Sequence, residues 1–168
     1  PMVALMNQIG FNATTLGNHE FDSGPHGLAR LTQLAAFSHL CCNVSPADSL
    51  DMRILPYKTF DAGGCSVTVI GDVQLGTHGM PDTHPDNVRG ITFTPVDETV
   101  ARFQWLREKS DILILLSHNG FDADVETARQ MPWLDLIIGG HTHTQLDGGE
   151  MHNGVLITQN VNRLEKVT

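Results

Sequence analysis

Nine histidines occur in the 168-residue chain, and four of them fall in three short polar clusters. The first is Gly17-Asn18-His19-Glu20-Phe21-Asp22, the second Ser117-His118-Asn119-Gly120, the third Gly139-Gly140-His141-Thr142-His143-Thr144. Neutral imidazole nitrogens and an amide oxygen suit Zn, Mn, Fe, Co or Ni better than Ca or Mg. Histidines gathered without a metal would need many hydrogen-bond partners. The His141-x-His143 spacing is too close for one helical face. In an extended or turning segment it presents two imidazoles to adjacent ions, and Gly139 and Gly140 let the backbone turn sharply there. Singly, each signal has a bland reading: a lone histidine at a strand end is usually structural, and an asparagine after glycine is a common turn residue. Three such clusters in comparable positions point to a shared pocket suited to a divalent metal, holding Asn18, His19, His118, His141 and His143.

Each cluster follows a predicted strand: FNATTL at 11–16, DILILLS at 111–117, and Leu134 to Ile138. The second is almost continuously apolar, as expected of a strand covered on both faces. Apolar spacing predicts helices over 2–9, 25–37, 96–109 and 121–131, with Pro25 in a first turn and Pro132 as a stop. Further strands are expected at 39–44 and 155–159, with another at 163–167. A hairpin at 57–62 and 66–71 is expected around Gly63-Gly64. Residues 72–94, rich in glycine and proline, read as a long surface loop, which is uncommon unless functional. Alternating strands and helices indicate an α/β protein, expected as one domain over 1–168, whose ligands gather at the carboxyl ends of its strands.

Composition narrows the function. Ten Lys and Arg against 19 Asp and Glu give a net charge of −9, which argues against charge-driven binding to a nucleic-acid polymer. No apolar run approaches the ~20 residues of a membrane helix. Cys41, Cys42 and Cys65 are an odd count with an adjacent pair, which is no disulfide framework. Cys41 and Cys42 read as small core residues.

The ordered set Gly-Asn-His-Glu (17–20), Ser-His (117–118) and Gly-His-Thr-His (140–143) resembles the motifs of the calcineurin-like metallophosphoesterases. The longer strings GNHEFDSG, THPDNVRGITF and IIGGHTHT resemble the 5'-nucleotidase and 2',3'-cyclic-nucleotide phosphodiesterase branch, and the likeness extends over essentially the whole chain. It implies a partial αββα sandwich, mixed sheets with helices on the outer faces. The implied activity is metal-dependent hydrolysis of nucleotide phosphoesters by in-line attack of a metal-bridging hydroxide, with two divalent ions (Mn, Zn, Fe or Co) in the full-length protein. Asn18, His118 and His141 would ligate one ion and His143 the other. His19 would contact the phosphoryl oxygens and leaving group, held by Asp22. A small-molecule nucleotide substrate and a periplasmic or extracellular location are implied by resemblance alone. Two other readings fit the residues: a non-catalytic metal-binding or interaction domain with a degenerate site, and a same-fold hydrolase of other phospho- or sulfur esters.

The sequence departs from that pattern in one respect. The family places Asp-x-His and Gly-Asp motifs ahead of Gly-Asn-His, and the sixteen residues before Gly17 contain neither. Gly71-Asp72 follows a strand but comes too late in the chain to match. Two dications ~3.5 Å apart repel by roughly 20 kcal/mol at an effective dielectric of ~20, which a bridging carboxylate offsets. The expectation is therefore a fragment that holds one ion and turns over little by itself. Its sheet would be completed by a missing N-terminal segment or another chain, and the family's C-terminal nucleotide-binding domain would lie beyond Thr168.

Overall fold

The computed structural model describes residues 2–162. In chain order the elements are α1 (Met2–Ile9), β1 (Ala13–Thr15), α2 (Gly24–Leu34), β2 (Ser38–Leu40), β3 (Val44–Pro46), β4 (Ile54–Leu55), β5 (Tyr57–Asp61) and β6 (Ser66–Gly71). Then come β7 (Ile91–Phe93), α3 (Val96–Ala101), β8 (Ile112–Leu116), α4 (Phe121–Gln130), β9 (Leu136–Gly139), β10 (Glu150–His152) and β11 (Val155–Gln159). The α/β expectation holds.

Six strands form the main sheet in the order β10-β11-β9-β8-β6-β5, parallel through β11, β9, β8 and β6 and antiparallel at both edges. A parallel sheet of β1, β2 and β4 forms a second layer, and β3 pairs antiparallel with β7. The two layers touch closely at Gly71, where a Cβ would lie 2.2 Å from the carbonyl oxygen of Leu40. Only glycine permits that approach.

Two apolar clusters follow from this arrangement. One packs Ile70, Leu113, Leu115, Ile137, Val155 and Ile157 of the main sheet against Val100, Leu106, Ala128 and Met131. The other joins Leu16, Phe21, Leu28, Cys41, Val44, Val73 and Ile91. Helix α4 lies on β9 and β11. Asp122 in its first turn and Arg129 in its last turn match the helix dipole.

The details differ from the sequence expectations in places. The strand expected at 39–44 splits into β2 and β3, because Asn43 leaves the ladder. Its side chain accepts from the Val73 backbone N (3.1 Å) and donates to the Val73 oxygen (2.8 Å) instead. The helix expected over 96–109 is α3 followed by a tighter 3-10 turn, Gln104–Lys109. The loop at 72–94 contains β7 and a 3-10 turn at Pro85–Val88. The edge strand β10 gave no alternation to read, and 163–167 lies outside the described residues. Most consequentially, β8 is covered on one face only. Leu113 and Leu115 are buried, but Ile112 is 39% and Ile138 on β9 40% exposed. Ile114 and Leu116 border an apolar groove of about 560 Å³ with Phe11, Phe60, Val67 and Val69.

Candidate metal centre

The three polar clusters meet at the carboxyl ends of β1, β8 and β9. After β1, Leu16 is fully buried, and the chain makes a 3-10 turn over Asn18–Phe21. Phe21, fully buried, anchors that turn with its ring edge against Phe93 (centroids 5.8 Å apart). Glu20 folds back and accepts the Gly17 backbone N–H at 2.6 Å. Burial pushes its carboxyl above the usual range. These contacts leave Asn18 inside and His19 outside. The Asn18 amide donates Nδ2–H to the Asp82 carbonyl at 3.2 Å, turning Oδ1 toward His118 Nε2, 3.1 Å away.

The side chain of His19 is 80% exposed, and its Nδ1 lies 2.8 Å from Asp22 Oδ2. An exposed pair of this kind adds little stability, so its value is directional: Asp22 fixes the ring and leaves Nε2 free. Thr83, from the long loop, donates to the other Asp22 oxygen at 3.4 Å.

The second cluster rests on buried carboxyls. Asp72 at the end of β6 is fully buried. Its Oδ1 accepts the His118 backbone N–H at 3.3 Å and Asn119 Nδ2–H at 2.8 Å. The Ser117 hydroxyl donates to Asp124 Oδ1. The second oxygens of both Asp72 and Asp124 are buried without a hydrogen-bond partner. Burial raises the Asp72 pKa, reinforced by Asp124, and pushes that of Asp124 up to about 7. The His118 ring is wedged between Gly17 and Gly140, where a Cβ would come within 2.8 and 3.1 Å of it. Burial first, then the neighbouring His141, His19 and His143, lower its pKa to about 4. His118 is therefore a neutral imidazole at neutral pH, the form that ligates metal.

The third cluster is a strained turn. His141 (φ 75°) and His143 (φ 56°) both occupy the left-handed region, at a cost of about 1–2 kcal/mol each for non-glycine residues. The His141 ring lies edge-on to His118, centroids 5.1 Å apart. His143 is exposed and near enough to act electrostatically on His118.

The donor set fits an ion. Two ligand atoms each ~2.1 Å from a tetrahedral cation stand about 3.4 Å apart, and Asn18 Oδ1 lies 3.1 Å from His118 Nε2. Among the described residues, no three of His, Cys, Asp and Glu form a ready metal cluster by themselves. The convergent group is Asn18, His118 and His141. His143 stands at its margin, and His19 with Asp22 at the rim. Asp72 supports the His118 backbone and is committed there. Motif reading overlooked Asp72 as a support, and also Asp124, Asn119 and Gln159. Asp124 falls within the helix and Gln159 at the end of an apolar strand, outside the three polar clusters.

The model of the calcineurin-like phosphoesterase family matches residues 2–145. A snake venom 5'-nucleotidase from Gloydius brevicauda is 34% identical over 158 residues, covering 88% of this chain and 26% of its own length. The chain thus spans about a quarter of that relative. The crystal structure of a 5'-nucleotidase precursor from Thermus thermophilus superimposes with a TM-score of 0.80 at 27% identity, over 94% of this chain and 34% of the other. A sulfate thiohydrolase from the same organism gives a TM-score of 0.78 at 22% identity, over 95% of this chain and 29% of the other, which marks a common fold.

Proposed function

The chain belongs to the calcineurin-like phosphoesterase family, and on that premise we propose that it is the metal-binding catalytic part of a nucleotide phosphoester hydrolase of 5'-nucleotidase type. The observation that carries this reading is the approach of Asn18 Oδ1 and His118 Nε2 to 3.1 Å, with His141 alongside and the His19–Asp22 pair at the rim. Asn18, His118 and His141 hold a divalent ion, with His143 available to a second. When bound, the metal supplies Lewis acidity toward the phosphoryl oxygens and a water of lowered pKa.

The protein's own residues do the rest. Asp22 accepts the Nδ1–H of His19, so Nε2 faces outward. There a protonated ring stabilises the charge developing on the leaving oxygen and delivers a proton to it. Asn18 is held by the Asp82 carbonyl and cannot swing its amide nitrogen toward the cation. The lack of a Cβ at Gly17 and Gly140 leaves the His118 ring uncrowded on those sides. The His19–Asp22 pair favours an enzyme over a purely structural metal site, because an ion-holding scaffold has no use for an exposed oriented imidazole. Substrates are nucleoside 5'-monophosphates or 2',3'-cyclic nucleotides. By kinship with venom and precursor nucleotidases, the protein is exported.

The test is an assay of the natural protein with manganese, zinc and cobalt against a nucleotide panel. Release of phosphate or opening of the cyclic phosphodiester is expected. Inertness toward every phosphoester with every metal would overturn the reading. The present chain, whose described residues add no carboxylate to the convergent group, is expected to bind one ion by elemental analysis; two tightly held ions would contradict that.

A further inference from the structure

We propose that Gln159, acting through the hydroxyl of Thr142, is the positioning device that holds the His141–His143 turn in its ligating shape and ties it to the His118 loop. This rests on the metal-site reading above and extends it to two residues with no ligand role.

Left-handed backbone at two histidines persists only where the surroundings over-determine it, and the turn is pinned from one side. Gln159 ends β11, in register with Gly139 at the end of β9. The residue is 2% exposed. Its Nε2 lies 2.8 Å from the Gly140 carbonyl oxygen and 3.1 Å from Thr142 Oγ1. Thr142 Oγ1 in turn accepts the Phe121 backbone N–H at 3.1 Å and lies 3.0 Å from Thr144 Oγ1. Phe121 follows Gly120, which closes the His118 loop at φ 94°. A Cβ on Gly120 would meet Thr142 Cγ2 at 2.7 Å. One hydroxyl therefore touches both histidine loops.

Counting protons shows why these residue types are needed. An amide nitrogen carries two hydrogens, and a hydroxyl offers one donor and two acceptor positions. Gln159 spends one hydrogen on Gly140 and one on Thr142. Thr142 accepts from Gln159 and Phe121 and donates to Thr144. Gln159 Oε1, 3.4 Å from the Thr142 oxygen, competes with Thr144 for that single hydroxyl proton. A carboxylate at 159 could donate neither bond. A valine at 142 keeps the shape and severs the link between the loops.

The experiment compares the chain with Thr142→Val, Thr142→Ser, Gln159→Glu and Gln159→Leu. Zinc affinity is measured by calorimetry, and the His141 and His143 backbone shifts by NMR without metal. Thr142→Val and Gln159→Glu are expected to weaken zinc binding about 10- to 100-fold, the range for partners that orient ligands. They should also move the two histidine shifts, while Thr142→Ser restores both to within about 2-fold of the original affinity. If Gln159→Glu does not fold, the exposed Thr142→Val carries the comparison. A lower melting temperature with unchanged zinc affinity and unmoved shifts would reduce the pair to packing and overturn the proposal, leaving the metal site intact. A parent chain that binds no zinc would remove the metal-site reading and this proposal with it.

Discussion

Asn18 Oδ1 and His118 Nε2 stand 3.1 Å apart although 100 residues separate them in the chain. Nothing local brings them together. Asn18 arrives on the turn after β1, and His118 on the loop after β8 in the neighbouring sheet. Removing either donor should therefore cost the site an ion-binding atom with little effect on its own element. Asn18→Ala and His118→Ala are each expected to lower zinc affinity by more than the ~10–100-fold typical of outer partners. Calorimetric titration checks this, and an unchanged dissociation constant for either variant would remove that residue from the ligand set.

His19 is expected to behave in the opposite way. His19→Asn in the natural protein should abolish turnover while metal content by elemental analysis stays constant. A drop in bound metal would place the imidazole among the ligands. Asp22→Asn should lower kcat by roughly 10- to 100-fold, less than the ~10²–10⁴-fold contribution of the positioned acid–base group itself, with KM nearly unchanged.

The glycine before Asn18 is a steric requirement. A methyl group at Gly17 would lie 2.8 Å from the His118 ring and 2.9 Å from Glu20 Oε2. Gly17→Ala should destabilise the fold by about 1–3 kcal/mol, as overpacking does, and weaken metal binding by displacing His118. Chemical denaturation and zinc titration read the two effects, and a variant with native values in both would show that the ring has slack.

Asp124 predicts a pH dependence with a definite sign. Its pKa is raised by burial from 3.8 to about 7. The folded protein thus keeps a proton that the unfolded chain releases near pH 4. Its contribution is complete below about pH 4 and is lost as pH rises through about 7, by at most about 4 kcal/mol. Asp124→Asn keeps the neutral form at every pH. Its stability relative to the parent should rise steadily between pH 4 and 7 and level off above. His118 acts in the opposite direction, losing stability as pH falls from 6.5 toward 4, and cancels in the comparison because both proteins retain it. A difference independent of pH would mean that the Asp124 carboxyl is ionised throughout.

Much of this was legible in the sequence for identifiable reasons. Helix α4 and strands β8, β9 and β11 announce themselves by period and by glycine or proline punctuation. The three polar clusters stand out because they recur after three separate strands, although each alone has a common structural reading. What stayed hidden was long-range. Asn43 breaks a continuous apolar run because of a partner thirty residues away, Val73. The uninterrupted Ile112–Leu116 stretch suggested two covered faces, yet helices occupy one. The positive φ of His141 and His143 has no signature in residue type. Asp72 follows a strand but is out of order for the motif, Asp124 belongs to no motif, and only the fold reveals that both carboxyls are buried near Ser117 and His118.

The proposed metal centre straddles a seam. Asn18 rides on the cluster of Leu16 and Phe21, whereas His118 and His141 ride on the cluster of Leu115 and Ile137. The halves are stitched by polar bonds, Thr15 to Asp72 and Cys42 to Gly71. A small slip along that boundary would pull the donors apart without melting either half. A bound cation would act as a clasp across it, so that loading slows amide exchange on both sides at once.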